Sequence, residues 1–119
     1  MLAPVLDDKP TTAAPYFLTP AMSDQIAFDQ AIVAGNSAAL IMFLARNPEA
    51  QQVAEVRQLL AARRAPDDHE VMRAVAGGDA EVVGAFDAAR LAGTRDSWEL
   101  FIKSHAGHPL STQAQFFMP

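Results

Sequence analysis

The residues of this chain best suited to chemistry are a histidine pair, His105 and His108, three apart in Ser-His-Ala-Gly-His, with Glu99 and Asp96 a turn or two earlier. Together they have the donor types that a divalent cation takes. Zinc sites draw on at least three protein ligands, His69 lies far off in sequence, and Ala106-Gly107 gives the loop freedom rather than a fixed geometry. The spacing therefore predicts a solvated turn in which a histidine helps to satisfy a helix end. Asp7-Asp8 and Asp67-Asp68 are adjacent, so their side chains diverge, and neither pair sits in the apolar setting that holds one carboxyl protonated for general-acid work. Asp67, with Glu70 three residues on, reads as a helix cap.

The chain holds no cysteine, no Gly-x-Ser-x-Gly turn and no Gly-rich phosphate loop with its lysine. No catalytic residue, cofactor or metal set is assigned from the sequence. An excess of five formal negative charges and a pI near 4.9 work against neutralising phosphates or anionic lipid. The longest nearly uncharged apolar run, Ala38 to Ala45, falls well short of the roughly twenty residues that span a bilayer. Met1-Leu2-Ala3-Pro4 lacks the basic and long apolar segments of a signal peptide.

The elements that must position these residues are announced by self-similarity. Ala27, Phe28, Asp29, Ala31, Ala34, Gly35 and Phe43 return 58 positions later as Ala85, Phe86, Asp87, Ala89, Ala92, Gly93 and Phe101. Hydrophobic pairs replace one another at Leu40/Trp98, Met42/Leu100 and Leu44/Ile102. Such periodicity marks units that bury their apolar faces by stacking.

Ahead of the first unit, Pro4, Pro10, Pro15 and Pro20, interleaved with Thr and Ala, predict a mobile arm over residues 1–22, with Tyr16-Phe17-Leu18 as an anchor. Ser23 is expected to cap a first helix with Ile26, Phe28, Ile32 and Val33 inward, stopped at Gly35. Ser37 opens a second, with Leu40, Phe43 and Leu44 on one stripe, closed by Asn47-Pro48, and a third runs to Arg63-Arg64. The second unit adds a short helix after Asp67, stopped at Gly77-Gly78. Helices opened by Asp79 and Thr94 follow, and a last one begins at Ser111. No window alternates with strand period. The expected fold is all-α: six or seven short helices in two α-hairpin units, 23–64 and 67–119, forming a small right-handed array or a bundle.

Each unit thus reads Phe-Asp-x-Ala, a Gly-Asn or Gly-Thr stop, a helix ending near Phe-Leu or Phe-Ile, a proline and another helix. This resembles the short tetratricopeptide-like helical repeats of bacterial envelope proteins and of segments beside bacterial caspase-like domains. The resemblance covers about two-thirds of the chain. It implies scaffolding or partner recognition, no catalytic residues, and the periplasmic side of a bacterial envelope, with the cytoplasm as alternative. The departures are Ala106-Gly107-His108 ahead of Pro109 and a shortened last helix.

Two other helical readings compete. Ala31, Gly35, Ser37 and Ile41 have helix-turn-helix spacing, but the reading helix Ala38–Leu44 offers no Arg, Lys, Asn or Gln to base edges. Ala34-Gly35-Asn36 resembles an ankyrin turn, without the Thr-Pro-Leu-His opening of that repeat.

The function expected is a non-catalytic protein-interaction or scaffold module. The alternatives are a small DNA-binding regulator and an enzyme or metal-binding domain that this reading does not detect. The expected partner is another protein or a second copy, with no nucleic acid and no membrane insertion. Candidate contact residues, left outside by periodicity, are Ile41, the Arg63-Arg64 helix end and the tail Phe116-Phe117-Met118. The plainer expectation for the tail is that it folds back and closes the end of the stack.

Overall fold

The computed structural model describes residues 19–119, and every regular element among them is helical. In order these are α1 (Pro20–Ala34), α2 (Ser37–Arg46), α3 (Val53–Ala62), α4 (His69–Ala76), α5 (Ala80–Ala92), α6 (Arg95–Ser104) and α7 (Pro109–Ala114). Short 3-10 turns cover Gly77–Asp79 and Gln115–Phe117. The all-α expectation holds. Asp7-Asp8, Tyr16-Phe17-Leu18 and most of the expected arm lie outside the described residues.

The helix starts sit close to the expected places: Thr94 and Asp79 open theirs as expected, the latter without a side-chain cap bond, and several others are displaced by a competing cap. Thr19 opens α1, its hydroxyl accepting the Met22 N–H at 3.1 Å, and Pro20 takes the first turn, where its missing N–H costs nothing. Pro20–Met22 are therefore helical, and Ser23 lies inside the helix. Asn36 caps α2 by accepting from Ala39 N at 2.8 Å, which leaves Ser37 one residue inside. Asp68 caps α4 through Glu70 N at 2.7 Å. Thr94 and Ser97 form a reciprocal capping box at α6. The last helix starts at Pro109, two residues before Ser111. Gly35 and Gly93 end α1 and α5 at φ 69° and 68°, a left-handed geometry that side chains resist, and each donates its N–H to the carbonyl four residues back.

At the centre lies α2, against which α1, α3, α4, α5 and α7 all pack. Ser37, Ala38 and every residue from Leu40 to Leu44 are buried there. A second cluster is aromatic. The Phe86 ring meets Trp98 at 5.0 Å, Phe101 at 5.4 Å and Phe117 at 5.5 Å, all edge to face.

The outer helix α1 corrects the expected inward stripe. It packs on α2 through Ala31, with Phe28 half-buried and its ring 6.0 Å from that of Phe43, while Ile26, Ile32 and Val33 remain 46%, 44% and 85% exposed. The cause is sequence placement. Apolar residues occur all round α1, so no periodic stripe marks its inner face.

Candidate interaction surfaces

The polar side chains gather at one place, the junction of the α2 N-terminus, the α3 C-terminus and α5. Arg90 is buried and donates to Asp87 Oδ1 from Nε at 3.1 Å and from Nη2 at 2.5 Å. Its Nη1 donates to the Leu60 carbonyl at 2.8 Å and to the Arg63 carbonyl, and Nη2 also reaches Ser37 Oγ at 3.3 Å. Arg63 Nε donates to the same hydroxyl at 3.0 Å, and Arg63 Nη2 pairs with Asp67 at 3.4 Å. Asp67 Oδ2 accepts from Ala38 N at 3.1 Å. A carboxylate thus faces the positive end of α2 and a guanidinium the negative end of α3, the favourable arrangement for both helix dipoles. This is structural cement. Its donors and acceptors are spent on one another.

Asp67 was expected to cap the helix that follows it. It caps α2 instead, and its neighbour Asp68 takes the expected role. Of the histidines, His108 accepts the Leu110 N–H at Nδ1, 3.0 Å away, and so caps α7, while the His105 ring lies 4.9 Å from Phe101. Among the described residues no three His, Cys, Asp or Glu side chains converge on a point that would hold a metal ion. The expected helix-end role is the one His108 plays.

The candidate contact residues divide. Ile41 is not on the surface: it is 0% exposed, because neighbouring helices cover its side of α2. A sequence signal for this exists in the paired position, Glu99 on α6. There Arg95, Asp96 and Glu99 face solvent where α2 carries Ser37, Ala38 and Ile41. Arg63 is half-buried in the polar junction, whereas Arg64 is exposed. In the tail, Phe117 stacks on Trp98 at 5.2 Å with 24° between the rings, and Met118 packs against the core. Phe116 stays outward, 62% exposed, with the Arg57 guanidinium 3.9 Å above its ring. Folding back describes Phe117 and Met118, and exposure describes Phe116.

The surface that periodicity missed is the outer side of α1. Met22, Ile26 and Val33 share one side of the helix, with the exposed Asp29 between the last two, Ile32 faces a different side toward Leu59 and Arg63, and all four large apolar side chains meet water. By contrast α2, the helix that a DNA-binding reading would lay in a major groove, has almost no outward face. No helix among the described residues is long and apolar enough to cross a membrane. Compared with protein-family models, curated proteins and solved structures, the chain matches none.

Proposed function

We propose that this chain is a non-catalytic protein-interaction module whose contact surface is the outer face of α1. The observation that carries the reading is the exposure of Met22, Ile26, Ile32 and Val33 on one outer helix, while the paired helix α5 exposes no large apolar side chain and keeps Val83, Phe86 and Ala89 buried. Large apolar side chains exposed together on one helix are a common mark of a docking surface. The repeat reading is supported by the matched glycine stops at Gly35 and Gly93 and by the 58-residue self-similarity. With that reading the resemblance to tetratricopeptide-like repeats, the scaffold role and the bacterial envelope stay together as one proposal.

Photocrosslinking tests it. A benzophenone amino acid at Val33 is expected to trap a discrete protein adduct, another protein or a second copy, in cells that make the chain. The same probe at Glu55, exposed on α3, is expected to trap none. Equal yields of the same species from both positions would remove α1 as the contact surface.

A further inference from the structure

One charge stands in the middle of the α1 contact surface. Asp29 is exposed and comes three residues after Ile26 and four before Val33, so it shares their side of the helix. A relay of amides holds its carboxylate in place: the buried Gln52 donates through Nε2 to Gln25 Oε1 at 2.9 Å, and Gln25 Nε2 donates to Asp29 Oδ1 at 2.8 Å. Among the described residues no ion pair includes Asp29, and α1 carries Asp24 and Asp29 with no lysine or arginine. The molecule contains the same position in a completed state. The α1–α2 and α5–α6 hairpins are built alike, since eight residues lining the cleft within the first each have a counterpart 58 places later lining the cleft within the second. In that correspondence Asp29 matches Asp87 and Ile32 matches Arg90. On α5 the aspartate is buried and accepts from Arg90, one turn on, at 3.1 Å from Nε. On α1 the residue one turn on is Ile32, which has no charge to offer. Arg63, close to Ile32, is already spent on Ser37 and Asp67.

A partner that covers Ile26 and Val33 covers Asp29 with them. A carboxylate buried without a counter-charge offsets the gain from the apolar side chains around it, so the partner must bring the cation that α1 lacks. We infer, on the reading of α1 as the contact surface, that it docks an amphipathic helix of another protein with an arginine among its apolar residues, the guanidinium seated on Asp29. Arginine suits the site better than lysine, because its planar fork matches a carboxylate already oriented by Gln25 and is more weakly hydrated than an ammonium. A second copy does not fit. Its α1 would set Asp24 and Asp29 against Asp29, and the exposed Arg95 of its α6 is held by Glu99 at 3.3 Å and by the Pro119 carbonyl at 3.1 Å. Phosphate-bearing surfaces are repelled by the same two carboxylates.

The probe is a fluorescein-labelled, hydrocarbon-stapled, alanine-based helix with leucines along one face and an arginine in the middle of that face, titrated with the full chain by fluorescence anisotropy. A twin peptide carries glutamate in place of the arginine. Saturable binding of the arginine peptide is expected, roughly tenfold or more tighter than that of its twin. Asp29→Asn is expected to reduce the preference to about twofold or less, and Asp29→Arg to reverse it, so that the glutamate peptide binds more tightly. Asp29 is exposed, so both variants are expected to melt as the parent does. Val33→Glu is expected to weaken the arginine peptide roughly tenfold. Equal affinity for the two peptides overturns the proposal. If Val33→Glu then weakens both, α1 stands as the contact surface without the arginine; if it weakens neither, α1 falls as well. No saturable binding of the arginine peptide also overturns the proposal, as does a dimer of the chain that Val33→Glu dissolves, because the occupant would then be a second copy.

Discussion

Arg90→Met removes the guanidinium that joins α5 to the ends of α2 and α3 while keeping most of its apolar stem. Two groups lose their partner at once, the Asp87 carboxylate, 6% exposed, and the Arg63 carbonyl, while the Leu60 carbonyl is left with the Arg63 N–H alone. Breaking a buried ion pair from one side costs about 3–5 kcal/mol, because the charge left behind stays desolvated. Against a total stability of about 5–15 kcal/mol that is a large share. With a urea slope of about 1–2 kcal/mol/M the midpoint is expected to fall by roughly 1.5–5 M. The chain has a single tryptophan, Trp98, 1% exposed in the aromatic cluster, so its fluorescence follows the transition without labelling. Asp87→Leu alone is expected to cost a similar amount. The double variant, which has no orphan charge, is expected to lose at least about 2 kcal/mol less than the sum of the two single losses. If Arg90→Met changes stability by less than about 1 kcal/mol, or if the two losses simply add, the junction does not hold the hairpins together as described.

Two further substitutions probe the core. Ile41→Ala is expected to destabilise by about 2–4 kcal/mol in the same assay, as a cavity in the centre of the fold requires; a change below about 0.5 kcal/mol would return Ile41 to the surface. Phe117→Ala is expected to cost about 2 kcal/mol and shift Trp98 emission to the red, whereas Phe116→Ala costs less than about 1 kcal/mol with no shift. Equal effects of the two would contradict the folded-back tail.

Helices and their stops were legible because they depend on neighbours in sequence: Gly35, Gly93 and Pro109 act locally whatever the rest of the chain does. Caps were legible to within four residues. Where two candidates adjoined, as at Asn36-Ser37 and Asp67-Asp68, the choice was settled by tertiary partners, Arg63 and Arg90 for Ser37 and the Ala38 N–H for Asp67. Facing was not legible for α1, whose apolar residues point all ways, nor for α2, apolar over most of its circumference. For α2 the missing information lay in the paired helix, since Glu99 opposite Ile41 says that one of the two is outermost.

The central position of α2 has a consequence for how this sequence can drift. Segments 37–46 and 95–104 resemble one another, yet one is enclosed by five neighbouring helices and the other borders water along Arg95, Asp96 and Glu99. The outer copy is free to accumulate polar replacements at those places. The inner copy is frozen there, because a charge at Ser37, Ala38 or Ile41 would be buried among its neighbours. Polar replacement is therefore tolerated at those places in segment 95–104 and excluded at the matching places in segment 37–46.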